Sequence, residues 1–316
     1  MDPFKSIIKG RLEFGNQKSY DMMLAHFQKR LETYYKNDML LKDPIYFNAE
    51  KLFIDVPRSI HTSSEKTWKN TASLLRELKS YAVAGELSIW VMDANNQLLF
   101  GETIIPQGDK VATTEYLKGV ALIEKGSFDA AIECLNKAID KYDDYYQAYE
   151  KRALAHFRAG RIEDALVDYA KSLALFPNSE ALLGQADVKA SLGDHVGALV
   201  DYQKSVDAAA PYEPVFWKCR RMKGEYHAQR NELDKAIFEL KLVTKRPFAE
   251  TDPNFPFRKQ AWQLYSEVLL KAGKKVESAA ALQEALAIVD NNFSGNLLDS
   301  NGGTQEKAVR GAVATA

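Results

Sequence analysis

The sequence has little of the chemistry that enzymes and nucleic-acid-binding proteins commonly use. Its 316 residues include two cysteines and five histidines, and the formal net charge is −1. Cys134 and Cys219 have no neighbours at metal-ligand spacing, so we expect buried structural thiols and no metal site. Because the charge is balanced, nothing draws the chain towards nucleic acid or an anionic membrane surface.

Motifs for catalysis are also missing. The chain has no Gly-rich phosphate loop ending in Lys-Ser or Lys-Thr, no His-Glu-x-x-His, no paired-cysteine zinc signature and no Gly-x-Ser-x-Gly elbow. The histidines are scattered, and Asp55, at the end of a predicted strand, suits a turn better than catalysis. We therefore predict a protein that is not an enzyme, with no catalytic residue, no metal and no cofactor.

Apolar segments of the length needed for secretion or membrane insertion are absent too. Residues 1–5 lack the apolar run of a secretory signal, and no later stretch is long enough to span a bilayer. The default expectation is a cytoplasmic protein without membrane insertion.

What the chain does contain is a repeated unit. Ala131 and Ala165 stand 34 positions apart in two copies whose small, aromatic and aliphatic residues match. Each copy predicts two antiparallel amphipathic helices, and one such pair cannot bury its own apolar stripe. Small residues at the helix crossings would let the two helices approach closely. These residues are Gly119 and Ala153 on first helices, and Ala131, Ala165, Ala198 and Ala236 on second helices.

On these residues, the segment of about 112–292 resembles the tetratricopeptide repeat family. The later copies drift, because the third is one residue short and inserts at residues 211–214 and 246–256 precede the fourth and fifth. A helical bundle whose alanines recur by accident is the alternative, but consecutive copies agree at too many places for it. The resemblance implies a mainly α fold, a solenoid of about five helical hairpins.

Glycine and proline mark the predicted helix ends in these repeats. Gly126, Gly160 and Gly193 stand where a first helix must stop and turn, a place that often needs a left-handed backbone. Pro177 ends the second helix of its repeat because proline cannot continue it.

The first hundred or so residues lack the repeat and predict a small α/β (α+β) domain that ends in a β-hairpin. Apolar residues at helical spacing alternate there with short runs of aromatic and β-branched residues. The predicted helices span residues 19–36 and 64–81, and the predicted strands span residues 45–47, 51–56, 86–92 and 97–105. Pro57 is expected to interrupt the second strand, and residues 93–96 have the composition of the hairpin turn.

The predicted domain boundaries follow these changes in composition. The small α/β domain covers residues 1–108, the solenoid residues 109–292, and a flexible tail residues 293–316, with a linker at residues 106–109. The tail has little apolar surface to bury. Its few apolar residues could instead fold back to cap the last repeat.

Proteins of this family generally bind a peptide or a helix in the concave groove lined by their first helices. From the helical phase, one end of this groove is apolar and aromatic, and the other is charged. The predicted partner groove comprises Tyr116, Val120, Ile123, Glu150, Leu154, Phe157, Arg158, Leu183, Asp187, Lys218, Arg221 and Glu225. Such a floor suits a partner with a hydrophobic anchor and mixed polar flanks. Some of these residues could instead be core, or be covered by the N-terminal domain.

One known mode of the family does not fit. Co-chaperones of this family hold the acidic C-terminus of heat-shock chaperones with a carboxylate clamp of Lys, Asn and Arg. The corresponding places here are Tyr116, Val120, Lys151, Glu180 and Gly184. Only Lys151 is basic, so the resemblance implies no heat-shock chaperone carboxylate clamp.

One local basic cluster, residues 218–223, could bind an acidic partner or phosphate. Acidic residues close by in the sequence favour an ion-paired, solvated helix face instead.

Two functions remain open. The favoured one is a non-catalytic adaptor or scaffold that binds a peptide or helix of a partner protein in the groove. Its N-terminal domain would dock a second partner, another copy, or the repeats themselves. The alternative is an enzyme or ligand sensor with its site in the N-terminal α/β domain, the repeats serving for targeting.

Overall fold

A computed structural model describes residues 4–107 and 110–288. The chain is mainly helical, with an antiparallel sheet before the helices, which confirms the predicted fold class. It divides into two compact units, residues 1–184 and residues 185–316, and each is described by itself. The predicted tail at residues 293–316 and part of the predicted linker lie outside the described residues, and the predicted domain boundaries stay predictions.

The first unit begins with a five-stranded antiparallel sheet of order β2-β3-β1-β4-β5. The strands are β1 (Phe4–Glu13), β2 (Phe47–Asn48), β3 (Phe53–Ser63), β4 (Ala84–Met92) and β5 (Leu98–Ile104). Helix α1 (Gln17–Lys29), with a π-helical turn at Arg30–Tyr34, follows β1, and α2 (Glu65–Leu78) joins β3 to β4. Because β1 pairs with both β3 and β4, these two strands and α2 form a split β-α-β unit.

Both helices pack on one face of this sheet. Alternate residues of the central strands, such as Ile8 and Leu12 in β1 and Ile89 in β4, are fully buried against α1 and α2. Met23 and Leu75 supply the facing side chains. This period of two along the strands, with period-3.6 stripes on the helices, is the pattern of a sheet covered by helices.

Pro57 does not end β3, so that prediction is wrong. The strand continues to Ser63, and its pairing with β1 shifts between Ile8 and Gly10, so Pro57 falls where no residues pair. On the other side of β3, strand β2 pairs only with Phe53 and Ile54. The missing N–H of proline therefore removes no ladder hydrogen bond, as is usual at bulges and open edges.

Two further differences between the sequence predictions and the structure concern strands. Residues 44–46 form a 3-10 turn, because Pro44 begins it and the Asp43 side chain accepts a hydrogen bond from the Ile45 N–H at 3.0 Å. Strand β1, which is central to the sheet, was not predicted at all. The β4–β5 hairpin is confirmed, and Asp93 Oδ1 accepts hydrogen bonds from the backbone N–H groups of Asn95 and Gln97.

Consecutive helical hairpins follow the sheet. Their helices are α3 (Lys110–Glu124), α4 (Phe128–Lys141), α5 (Tyr146–Arg158), α6 (Ile162–Leu175), α7 (Ser179–Ser191), α8 (His195–Ala208), α9 (Pro214–Gln229), α10 (Leu233–Thr244), α11 (Arg258–Lys271) and α12 (Lys275–Ala287). The lengths suit the helix pairs of a tetratricopeptide solenoid.

Small residues at the helix crossings have the predicted role. Ala131, Ala165 and Ala236 are fully buried. A Cβ atom added to Gly119 would lie 2.6 Å from Leu135 Cγ, which is too close for any side chain. The first and second helices of these three hairpins therefore approach closely where the repeat places its least bulky residues.

The ends of the helices also agree with the sequence. Gly126, Gly160 and Gly193 have φ of +74°, +79° and +80°, the left-handed region expected after a first helix. In the fourth copy Asn231, with φ +57°, takes this place. Helix α6 ends at Leu175, two residues before Pro177.

Candidate partner-binding surface

The structure places the predicted groove residues on the first helices of successive repeats. Helix α3 carries Tyr116, Val120 and Ile123, helix α5 carries Glu150, Leu154, Phe157 and Arg158, and helix α7 carries Leu183 and Asp187. Helix α9 carries Lys218, Arg221 and Glu225. Helices α3 and α5 contact each other in the first unit. Seven of the predicted residues therefore lie on two neighbouring helices.

Two of these seven residues belong to the packed interior. The ring centres of Tyr116 and Tyr145 lie 5.1 Å apart, beside a cluster that includes Ala112. Ile123 packs against a second cluster that includes Ala155. These contacts hold adjacent repeats together, so Tyr116 and Ile123 serve packing.

Three predicted groove residues are buried. The exposed fractions of Glu150, Leu183 and Arg221 are 6%, 6% and 2%. Glu150 lies 2.8 Å from the Lys151 ammonium. Burial raises the pKa of Glu150, while Lys151 opposes this shift. These three side chains offer a partner almost no surface. They lie in the core, which is the alternative that the helical phase left open.

Four half-buried side chains remain in the first unit, Val120 on α3 and Leu154, Phe157 and Arg158 on α5. Phe157 and Arg158 lie three and four positions after Leu154, so the three side chains on α5 lie towards one helix face. We call these four residues the α3–α5 surface. It combines apolar area with one cation, as expected for an anchor with a polar flank.

In the second unit, the predicted charged residues bind one another. Asp187 accepts a hydrogen bond from the Tyr202 hydroxyl at 2.7 Å and lies 3.1 Å from Lys218 Nζ. Arg221 lies 2.5 Å from Glu225. Their charges are already compensated within the fold.

The basic cluster at residues 218–223 is ion-paired, as predicted. Arg220 lies 2.7 Å from a Glu239 carboxylate oxygen, and Lys223 contacts the other oxygen of the same group. It is not, however, a solvated face, because Arg221 and Lys223 are 2% and 7% exposed. Helix packing buries these cations, and a buried charge requires an ion-pair or hydrogen-bond partner.

The sequence did not show how the sheet meets the repeats within the first unit. The Gly85 N–H donates a hydrogen bond to Gln147 Oε1 at 3.1 Å, at the first turn of α5. Val83 and Ala84 join the cluster that contains Ala112 and Ala148. The start of β4 therefore covers the first turns of α3 and α5 and leaves the α3–α5 surface further along these helices.

An aromatic clamp on Arg11 forms a second part of this junction. The guanidinium lies 4.1 Å from the Phe53 ring centre and 4.4 Å from that of Phe176, at the end of α6. It also donates a hydrogen bond to Asp55 at 2.8 Å. Asp55 is thus occupied by an ion pair. No local sequence pattern reveals these contacts, because the residues are far apart in the chain.

A buried carboxyl group lies beside this clamp. Tyr142 donates a hydrogen bond from its hydroxyl to Glu13 Oε2 at 2.7 Å, and Glu13 is 6% exposed. Burial raises the pKa of Glu13 to about 7, although the hydrogen bond and the Arg11 charge act in the opposite direction.

The described part of the chain contains neither a cluster of metal-ligating side chains nor a membrane-spanning helix. Across residues 4–107 and 110–288, no group of three His, Cys, Asp or Glu side chains is arranged to hold a metal ion. Among the same residues, every helix is too short or too polar to cross a bilayer.

The fold places this chain among the helical-repeat proteins. Residues 116–179 match the family model of the tetratricopeptide repeat. This match confirms the predicted tetratricopeptide repeat assignment for residues 116–179. No curated protein matches the chain.

Several solved structures resemble the chain at low sequence identity. BtubC from P. vanneervenii is 13% identical with a TM-score of 0.50, covering 61% of this chain and 88% of that one. MamA from Desulfovibrio magneticus RS-1 is 16% identical with a TM-score of 0.47, covering 59% and 99%. YrrB, a TPR protein with an unusual peptide-binding site, is 18% identical with a TM-score of 0.43, covering 58% and 88%. At these identities, the likeness concerns the fold alone.

Proposed function

We propose that this protein is a non-catalytic adaptor that binds a peptide or helical segment of a partner protein on the α3–α5 surface. Tetratricopeptide repeats generally mediate protein–protein interactions. The observation that carries the proposal is the half-exposed state of Val120, Leu154 and Phe157 on adjacent first helices. Large apolar side chains that stay accessible next to each other are the usual core of an interface.

The packing around this surface suits it to binding. Ile123 and Ala155 anchor the same helices in the repeat core, so the surface is held by rigid elements and needs little ordering on association. A partner would bury an apolar side chain against Leu154 and Phe157, and a polar or acidic flank near Arg158 would set its register. We place this adaptor in the cytoplasm, with the sheet as a support for the first repeats.

Charge reversal on α5 tests this proposal. Full-length wild-type protein and a Leu154→Glu, Phe157→Glu variant would be used for affinity capture with crosslinking from the native host. The captured partner would then be purified and titrated against both. We expect at least a tenfold loss of affinity, because removing anchor residues of an interface weakens binding by about 2 kcal/mol or more.

Val167→Glu provides the matched control. This valine lies on α6 of the same repeat and is 68% exposed, so the substitution adds a glutamate charge outside the surface. Circular dichroism and thermal melting would verify that all variants stay folded. Unchanged binding by the α5 variant, or an equal loss with Val167→Glu, would contradict the proposal.

A further inference from the structure

A second surface lies in the second unit, on different helices. A depression of about 740 Å³ is lined by α8, α10 and the C-terminal part of α9. Val196, Val200 and Phe238 stand around it with exposed fractions of 59%, 50% and 60%. Val196 and Val200 are four positions apart and share one face of α8. We call this depression the α8–α10 groove.

These three side chains differ from ordinary exposed apolar residues because they border one concavity. Single exposed apolar residues are common on soluble proteins, whereas a group around a depression of this size is typical of an interaction site. The volume lies within the range of about 300–1,000 Å³ that is usual for binding pockets. The groove therefore offers space for apolar side chains of a partner.

The floor of the groove is polar and held by ion pairs and hydrogen bonds. Lys223 and Glu239, which are 7% and 4% exposed, form an ion pair. Gln203 Oε1 accepts a hydrogen bond from Lys223 at 2.5 Å, and Arg220 binds the second Glu239 oxygen at 2.7 Å. A ligand thus meets a fixed floor in which two cations share one carboxylate.

The rim carries an outward excess of positive charge. The side chains of Lys204 and Lys235 are 60% and 67% exposed, and that of Arg230 is 42% exposed. Glu232 accepts hydrogen bonds from Lys235, Arg230 and His227, each at 2.9 Å. Lys235, followed by Arg230, lowers the pKa of Glu232 to about 2, so its charge is fully engaged.

The remaining acids change this balance little. Lys204 pairs at 3.3 Å with Asp201, which is 1% exposed and also binds Lys189. Asp234 is the one exposed acid among the lining residues of the groove. A partner approaching from solvent therefore meets apolar side chains bordered mainly by ammonium and guanidinium groups.

We infer that the α8–α10 groove docks a helical segment of a partner protein whose apolar residues are flanked by carboxylates. Apolar side chains of this segment would fill the space between Val196, Val200 and Phe238, in the helix-in-groove mode. Its Asp or Glu residues would approach Lys204, Arg230 and Lys235. This site uses neither α3 nor α5, so its experimental test is independent of the proposed adaptor surface.

A peptide selection on the full-length protein tests this inference. Random 16-residue peptides displayed on phage would be selected on the wild type and depleted on a Val200→Asp, Phe238→Asp variant. Selected peptides would be synthesised and measured by fluorescence anisotropy. We expect sequences with Leu, Ile or Phe at helical spacing beside Asp or Glu, and at least tenfold weaker binding to the variant.

Two further variants complete the experiment, a control outside the groove and a test of the charged rim. Val276→Asp places one aspartate on α12, at a residue that is 86% exposed and does not line the groove, and this variant should bind the peptides like the wild type. The Lys204→Glu, Lys235→Glu variant reverses the charge of two rim residues. It should weaken the binding of acidic peptides by at least tenfold, and this effect should decrease as the salt concentration rises.

Three results would overturn the inference. The first is a selection that yields no peptide able to distinguish the wild type from the Val200→Asp, Phe238→Asp variant. The second is a set of selected peptides with basic flanks, or with no dependence on Lys204 and Lys235. The third is self-association measured by light scattering that Phe238→Asp abolishes, because the groove would then serve a second copy of this chain.

Discussion

Glu13 shows how burial changes the chemistry of one carboxyl group. It lies in β1, accepts the Tyr142 hydrogen bond and is almost inaccessible to water. Because the charged form loses its hydration, the pKa of Glu13 rises to about 7 from an ordinary value of 4.5. The folded state therefore holds a proton between these two pH values that the unfolded state releases.

This difference predicts the pH dependence of stability. When the folded pKa of an acid is raised, stability is greatest below pH 4.5, falls as pH rises towards 7, and stays lower above 7. Glu13→Gln keeps a hydrogen-bond acceptor but cannot ionise. We expect the variant to be more stable than the wild type at pH 8, by up to about 3 kcal/mol, and similar to it near pH 4.5.

Urea unfolding at pH 4.5, 6 and 8, followed by circular dichroism, measures this effect. Glu124→Gln, at an exposed residue of α3, controls for the loss of a carboxylate. Equal pH profiles for the wild type and Glu13→Gln would show that the buried carboxyl does not control stability in this range.

Helix α6 illustrates how the repeat distributes side chains within one element. Ala165 is fully buried at the crossing with α5, whereas Val167, two residues later, is 68% exposed. The first position leaves no room for added atoms, and the second has solvent around it. The consequences of a substitution therefore depend on the helix face and not on hydrophobicity.

Enlarging Ala165 should destabilise the repeat. Ala165→Leu inserts three carbon atoms at the closest approach of two helices, and such overpacking typically destabilises by roughly 1–3 kcal/mol. Val167→Leu on the same helix should change stability by less than about 0.5 kcal/mol. Urea denaturation of both variants measures the difference, and equal stabilities would mean that α5 and α6 are not in close contact at Ala165.

For the whole molecule, the notable feature is the joint between the sheet and the repeats in the first unit. Arg11 lies between an aromatic ring of the sheet and one at the end of α6, and Gly85 binds the first turn of α5. These contacts connect segments that are more than 60 residues apart in the chain. The sheet is therefore part of the structural support of the first repeats.

Removing the Arg11 side chain should loosen both sides of this joint. Arg11→Ala removes two cation–π contacts and leaves Asp55 without its ion pair, so we expect a destabilisation of roughly 2–4 kcal/mol. Arg76→Ala breaks an ion pair with Glu102 in which the arginine is 45% exposed, and should destabilise by less than about 1 kcal/mol. Hydrogen exchange should speed up in both β1 and α6 for Arg11→Ala. Faster exchange in β1 alone would argue that the joint does not couple the two parts.

Local patterns were enough to predict the repeats. A 34-residue period, small residues at helix crossings and glycines at helix ends depend on neighbours in the same or the next hairpin, so the sequence shows them directly. The same reasoning found α2 and the β4–β5 hairpin, whose turn is closed by Asp93. It failed for β1 and for Pro57, because strand pairing between distant segments decides whether a strand forms and whether a proline can be accommodated.

The exposed residues of the first helices required the tertiary structure. Helical phase placed twelve side chains on one face, but phase reports direction only and cannot show what a neighbouring element covers. Glu150, Leu183 and Arg221 are buried, Tyr116 and Ile123 pack in the core, and Leu154 and Phe157 keep part of their surface. The repeat architecture follows from contacts close in the chain, whereas the available binding surface depends on contacts between distant residues, which only the folded chain brings together.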